Sequence, residues 1–142
     1  ALAFDRNHII GSDIYTYATS QGNKEGWAYS FKPTDDVVRG AIYVKNLKMN
    51  KVSAIVREIG IKPILAFGNS SGDFSMFEYT VANNHYPSMA FCVLADDVVR
   101  EYGNPTKAAK MKSSCDAKNW TTISMKTDFA TIYGKNVKKQ EK

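Results

Sequence analysis

The stretch ILAFGNSSGDFSMFEY, residues 64–79, decides the fold, because an apolar run breaks there into a polar loop before a second apolar pattern begins. The run at 64–67 shows no alternation of apolar and polar residues, which predicts a parallel strand buried on both faces between helices. A short helix is predicted over residues 71–82. A polar loop between such a strand and a helix is typical of the ligand-binding edge of a parallel sheet.

Strands and helices alternate on both sides of this stretch. From residue 47 to residue 59 the apolar positions recur at steps of three and four, which predicts an amphipathic helix that Gly60 ends. Further strands are predicted at residues 8–14, 89–95 and 121–125, and a further helix at residues 104–117. Residues 15–45 are predicted to form a hairpin excursion with strands at residues 29–31 and 41–44.

This order of elements predicts an α/β protein, a Rossmann-like three-layer sandwich with a mainly parallel sheet. A chain of 142 residues suits a single domain, which we expect to span residues 1–142 with a basic tail at 135–142. No apolar stretch approaches the roughly 20 residues that a membrane-spanning helix needs.

Charge and cysteine content exclude few functions. The formal net charge of +5 comes largely from lysines on one predicted helix and in the tail, which favours a solvated surface over nucleic-acid binding. Cys92 and Cys115 have neither CxxC spacing nor a neighbouring His, which favours two idle thiols over a disulfide or a metal site.

The polar loop supplies oxygen atoms suited to a hard cation. Asn69 and Asp73 offer oxygen ligands, and Mg²⁺ prefers oxygen ligands that it shares with a phosphate. Ser70 and Ser71 are able to donate hydrogen bonds or to cap the helix. The same residues equally suit a helix cap and a glycine turn with no ligand, and their spacing alone leaves both interpretations open.

The segment FGNSSGDFSM, residues 67–76, resembles the last motif of the haloacid dehalogenase-like (HAD) hydrolases, most closely the phosphoserine phosphatase-like members. In that family an apolar strand runs into Gly-Asp-x-x-x-Asp, which binds an essential Mg²⁺. The resemblance implies that Asn69 ligates the metal and that Asp73 supports its water shell and the catalytic lysine. Asn69 replaces the usual Asp and brings an amide oxygen without negative charge.

The same family places a lysine near the start of the helix that precedes this strand. The family spacing lands on Lys48, with Lys51 one turn further along as the alternative. The resemblance implies that this lysine offsets the charge of the nucleophile and the phosphate. Ser70 and Asn46 are candidate contacts for the substrate or for metal-bound water. Residues 89–96 are expected to form an edge strand of the family's sheet.

The family's Asp-x-Asp-x-Thr motif, which carries the nucleophile, does not occur in this sequence. The chain also opens in the middle of an apolar pattern, so we expect it to be the C-terminal part of a longer phosphatase, inactive alone. A small phosphorylated substrate, association with a second copy through an uncovered sheet edge, and a bacterial envelope location are expected. The alternatives are a stand-alone module that binds an anion or a partner without chemistry, and a catalytically silent relative.

Overall fold

The computed structural model describes residues 5–134, 137, 139 and 140. The chain divides into two compact units, Ala1–Asn46 and Leu47–Lys142. It is an α/β protein with a two-stranded antiparallel sheet in the first unit and a three-stranded parallel sheet in the second. The class, the parallel pairing and the hairpin agree with the sequence-based expectation. Within the part of the chain that the structure describes, no helix is long and apolar enough to cross a bilayer.

The first unit is built on a hairpin of β1 (Asp13–Ala18) and β2 (Val37–Val44). Asp13 pairs with Val44 and Ala18 with Val37, with irregularities in the register near Ile14. The strand predicted at residues 8–14 is wrong. Arg6–His8 form a 3-10 turn instead, and Ile9 is 52% exposed.

The strand predicted at residues 29–31 is also wrong, since no strand forms there. The Tyr29 side chain instead binds the buried carboxylate of Asp35. The Tyr29 hydroxyl donates to Asp35 at 2.8 Å, and the backbone N–H groups of Ser20 and Lys32 donate at 3.0 and 2.9 Å. The Ser20 side chain lowers the pKa of Asp35 most, and the hydrogen bonds from Lys32, Tyr29 and the Ser20 backbone lower it further, so this pKa lies below its usual range.

The first unit should therefore lose stability in acid. A carboxyl group whose folded pKa is depressed stabilises the fold above its unfolded pKa of about 4, and this contribution is lost as the pH falls further. We expect the near-ultraviolet circular dichroism of the tyrosines to change below about pH 4. Asp35→Asn should remove that pH dependence, whereas Asp36→Asn, at an exposed neighbour, should retain it. An unaltered profile in Asp35→Asn would contradict this assignment.

The second unit places β4 in the middle of its sheet. The strands β3 (Leu65–Gly68), β4 (Met89–Leu94) and β5 (Thr121–Ser124) lie in the order β3-β4-β5. The expectation that residues 89–96 form an edge strand is wrong, since β4 pairs on both sides. The helices are α1 (Met49–Ala54, continued by a π-helical turn at Ile55–Ile59), α2 (Phe74–Val81, after a 3-10 turn at Ser71–Asp73) and α3 (Pro105–Asp116).

Helices α2 and α3 cover one face of this sheet. The core residues on that face are Ala66, Phe77, Ala90, Cys92, Leu94, Ala108, Cys115 and Trp120. On the other face Leu65 is 51% and Phe67 56% exposed, so burial on both faces was wrongly predicted for this strand. The run lacks alternation because its outward residues are also apolar: Phe67 stacks on Phe91 with ring centroids 4.8 Å apart.

Cys92 and Cys115 both lie in this core as free thiols, as the spacing predicted. Each is fully buried, one in β4 and the other in α3. Desolvation raises the pKa of the Cys92 thiol to about 12, and it also raises the pKa of Cys115. Both side chains therefore behave as small apolar groups.

Candidate functional site at the end of strand β3

The loop after β3 is organised by the side chain of Asp73. This residue is 6% exposed and ends the 3-10 turn from which α2 continues. Its Oδ2 atom accepts hydrogen bonds from the backbone N–H groups of Asn69 and Ser70 and from the Ser70 hydroxyl, each at 3.1 Å. Charge-assisted bonds of this kind are stronger than neutral ones, so one carboxylate fixes the whole turn.

The other oxygen of Asp73 pairs with a lysine. Oδ1 lies 3.2 Å from Nζ of Lys51, whose side chain is 28% exposed. Lys51 stands in the first turn of α1, so this ion pair joins α1 to the loop after β3. Of the two lysines proposed from the sequence, Lys51 is the one that the structure brings to Asp73.

Lys48 has a different role in the backbone. It precedes the first turn of α1 with φ 51° and ψ −123°, a conformation that non-glycine residues rarely adopt. Its backbone N–H donates to the carbonyl of Gly72 at 3.0 Å, which holds the start of α1 against the loop. In the described residues the Lys48 ammonium makes no ion pair with a carboxylate.

Gly68 is required by the position of the Asp73 side chain. A Cβ atom at residue 68 would lie 2.6 Å from Cβ and 2.7 Å from Oδ2 of Asp73. Contacts this short do not occur between real Cβ atoms, so the end of β3 or the carboxylate would have to move. Close packing against Asp73 therefore explains the glycine at position 68 without any bound ligand.

Gly68→Ala should accordingly destabilise the second unit. We expect the free energy of unfolding to fall by about 2 kcal/mol, the usual cost of overpacking a tight site. Urea denaturation followed by circular dichroism measures the change. Gly134→Ala is the control, since a Cβ there meets nothing within 4 Å. Equal stability of the two variants would show that Asp73 moves aside at little cost.

The remaining predicted site residues divide between the two units. Asn69 is exposed and belongs to the second unit, where the structure shows only its backbone N–H bound to Asp73. Asn46 belongs to the first unit, in which its backbone N–H donates to Ser12 Oγ and its amide nitrogen to the Ile10 carbonyl. The Asn46 side-chain oxygen is buried and accepts no hydrogen bond.

The oxygen atoms of the loop suit Mg²⁺ in type but form only part of a shell. Mg²⁺ takes six oxygen ligands in near-octahedral geometry and is usually held by one or two carboxylates. Nowhere in the described chain do three His, Cys, Asp or Glu side chains converge. Asp73 is the loop's only carboxylate, and Lys51 offsets its charge. Asn69 adds an exposed side-chain oxygen to the one carboxylate of the loop.

A cavity of about 430 Å³ adjoins this loop at the carboxyl ends of β3 and β4. The loop residues Asn69 and Ser70 form one wall, and the start of α3 with Asn104 and Lys107 forms another. The α3 residues of this wall were not among the site residues predicted from the sequence. The available signal was the Asn-Pro pair that begins a helix after a buried strand, which predicted the helix and also places it at the ligand-binding edge.

Arg100, which was not predicted from the sequence, holds the loop at residues 97–100 in place. The Arg100 side chain donates to the buried carboxylate of Asp97 at 2.5 Å and to the carbonyl oxygens of Phe129 and Met125 at 2.8 and 2.7 Å. Hydrogen bonds from the Arg100 backbone and side chain hold the pKa of Asp97 below its usual range. This arrangement joins residues 97–100 to the segment after β5 and has a structural role.

No protein-family model matches the chain, and a search of curated proteins returns no match. The HAD resemblance therefore rests on residues 67–76 and on the lysine before them.

Proposed function

We propose that this chain is the C-terminal part of a Mg²⁺-dependent HAD-like phosphatase that acts on small phosphomonoesters through an aspartyl-phosphate intermediate. The observation that carries the proposal is the Lys51–Asp73 ion pair of 3.2 Å beneath a Gly-Asn-Ser-Ser-Gly-Asp loop at the carboxyl end of a parallel strand. A cation at this edge is what an attack on a phosphate requires. The α/β architecture with a parallel sheet is compatible with an incomplete HAD core.

In this proposal the nucleophilic aspartate comes from residues outside the printed sequence. Its carboxylate attacks phosphorus, the ester P–O bond breaks, and the leaving oxygen takes a proton from the second aspartate of the same Asp-x-Asp-x-Thr motif to leave as the alcohol. Water then hydrolyses the aspartyl phosphate to inorganic phosphate. Lys51 offsets the negative charge of the nucleophile and the phosphate, and Asp73 keeps Lys51 in position. Lys48 stays the alternative that the family spacing favours.

The loop has two further tasks in the mechanism. Asn69 would hold Mg²⁺ through its side-chain oxygen, and the bound ion supplies positive charge opposite the phosphate. The Ser70 hydroxyl and the backbone N–H groups of Asn69 and Ser70 already donate to Asp73, so a phosphate at this rim would have to bind the other N–H groups of the loop or replace Asp73 as their acceptor. Asp73 therefore acts on the substrate only through the groups that it positions.

The test uses the product of the complete gene. We expect the gene to encode Asp-x-Asp-x-Thr upstream of Ala1 and its product to hydrolyse p-nitrophenyl phosphate only with Mg²⁺. The chain of 142 residues alone should be inactive but should bind phosphate, with NMR shifts at the amides of residues 69–73. A complete product that neither turns over any phosphomonoester nor shows those shifts overturns the proposal.

A non-catalytic binding module is the second candidate, and the geometry of Asp73 favours it. Both carboxylate oxygens are engaged within the chain, so the loop needs no metal to keep its conformation. Such a loop is able to bind an anion through exposed donors without chemistry. Phosphate binding that is unaffected by Mg²⁺, together with a gene that begins at this chain, would favour the module over the phosphatase.

A further inference from the structure

The cavity beside the loop after β3 combines an apolar floor with a polar rim. Its floor includes the buried side chains of Leu94 and Ala108 and the partly buried side chain of Met111. A volume of about 430 Å³ lies within the range of small-molecule sites, roughly 300–1,000 Å³.

The rim of the cavity carries one cation. Lys107 lies in the first turn of α3, and in the described part of the chain its ammonium forms no ion pair. The side chain of Asn104 is engaged, because it accepts a hydrogen bond from the Lys107 backbone N–H at 3.0 Å and caps the helix. Lys107 is therefore the rim group with charge to offer a ligand.

The cavity shares a wall with the proposed phosphate site. Asn69 and Ser70 line it, and the same residues belong to the loop that Asp73 holds. A phosphate at the loop would therefore point its ester substituent either into this cavity or into solvent. An apolar substituent gains free energy by leaving water for the Leu94 and Met111 surface.

We propose that this cavity binds the alcohol portion of the phosphomonoester and selects alcohols that have an apolar ring or chain ending in a carboxylate. The apolar body lies on Leu94, Ala108 and Met111, and the carboxylate pairs with Lys107. This inference rests on the proposed phosphatase function and adds the substrate class to it. The substrate is then an aromatic or aliphatic carboxylate with a phosphorylated hydroxyl group.

The experiment is an NMR titration of the 142-residue chain with four probes: inorganic phosphate, phenyl phosphate, 4-carboxyphenyl phosphate and 4-hydroxybenzoate. Phosphate should shift only the amides of residues 69–73, whereas both esters should also shift the Met111 methyl group. The carboxylated ester should bind about threefold more tightly than phenyl phosphate, which is ~0.7 kcal/mol and within the range of one exposed ion pair.

Lys107→Met tests the selectivity, with Lys110→Met as the matched control on the same helix. Lys110 is exposed and does not line the cavity. The Lys107 variant should bind the two esters equally, whereas the Lys110 variant should retain the threefold difference. Both lysines are exposed, so neither variant is expected to unfold the chain.

The outcomes separate this inference from the function on which it rests. If phosphate shifts no loop amide and the complete product turns over no phosphomonoester, the proposed function fails. If both esters shift the loop but neither shifts Met111, or if the threefold difference survives Lys107→Met, the proposed function stands and the subsite is overturned. If 4-hydroxybenzoate shifts Met111 while no phosphate compound shifts the loop, the cavity binds carboxylates independently and its role as an alcohol subsite is overturned.

Discussion

Replacing Asp73 by Asn should lower the free energy of unfolding of the second unit by about 3 kcal/mol. The change leaves the shape of the side chain but removes the charge that accepts three hydrogen bonds and pairs with Lys51. Breaking a buried ion pair costs about 3–5 kcal/mol, and the partial exposure of Lys51 places this case at the lower end. Urea denaturation monitored by circular dichroism measures the difference.

Asp116→Asn is the matched control for that experiment. Asp116 pairs with Lys112 at 2.8 Å, but both side chains are more than half exposed. Exposed pairs of this kind contribute less than about 1 kcal/mol, so the control should be nearly as stable as the wild type. A similar loss in both variants would mean that the Asp73 network contributes no more than a surface pair.

The second large effect distinguishes Lys51 from Lys48 as the lysine that takes part in the proposed reaction. If the product of the complete gene is the proposed phosphatase, Lys51→Met should reduce kcat/KM for p-nitrophenyl phosphate by at least about 100-fold, because the positive charge beside the phosphate is lost. Lys48→Met should reduce it by less than about tenfold. The reason is that Lys48 contacts the loop through its backbone, which the substitution retains.

Lys51→Arg and a stability measurement keep this prediction separate from a folding defect. Lys51→Met leaves Asp73 charged without its partner, so some loss of stability is expected in that variant. Lys51→Arg keeps the charge and should recover part of kcat while restoring the unfolding midpoint. The opposite ranking, with Lys48→Met the more damaging, would assign the role to the residue that family spacing favours.

Local patterns predicted the second unit well because its elements are determined by neighbouring residues. The three- and four-residue spacing from residue 47 to residue 59 corresponds to α1 and its π-helical extension, and Gly60 ends it with φ 71°. Asn104 caps α3 and Pro105 begins it, as the pair of residues indicated. These signals depend on backbone conformation within a few residues and need no knowledge of the tertiary structure.

The pairing of distant strands could not be predicted from local sequence patterns. Residues 29–31 have the composition of a strand, but the strand that pairs with β2 is β1. The Tyr29 hydroxyl donates a hydrogen bond to Asp35. The central position of β4 depends on the order of strands in the sheet, which apolar patterning does not encode. Exposure of Phe67 likewise depends on which faces the helices cover.

The residues of the candidate site were predicted from the sequence, but most of their contacts were not. Asp73 was expected beside a metal and a lysine, and the structure shows the lysine contact and the hydrogen bonds to Asn69 and Ser70. Counting residues could not separate Lys48 from Lys51, because the choice depends on where α1 begins. Lys48 stands just before the first turn, whereas Lys51 lies within it and reaches Asp73.

The two thiols of the core give the chain a reporter of its own opening. A thiol must lose its proton to react with an alkylating reagent, and Cys92 keeps its proton at neutral pH because burial raises its pKa to about 12. Iodoacetamide can therefore modify Cys92 only in molecules whose β4 and α3 have separated. The rate of alkylation measures how often this sheet opens, with no added label.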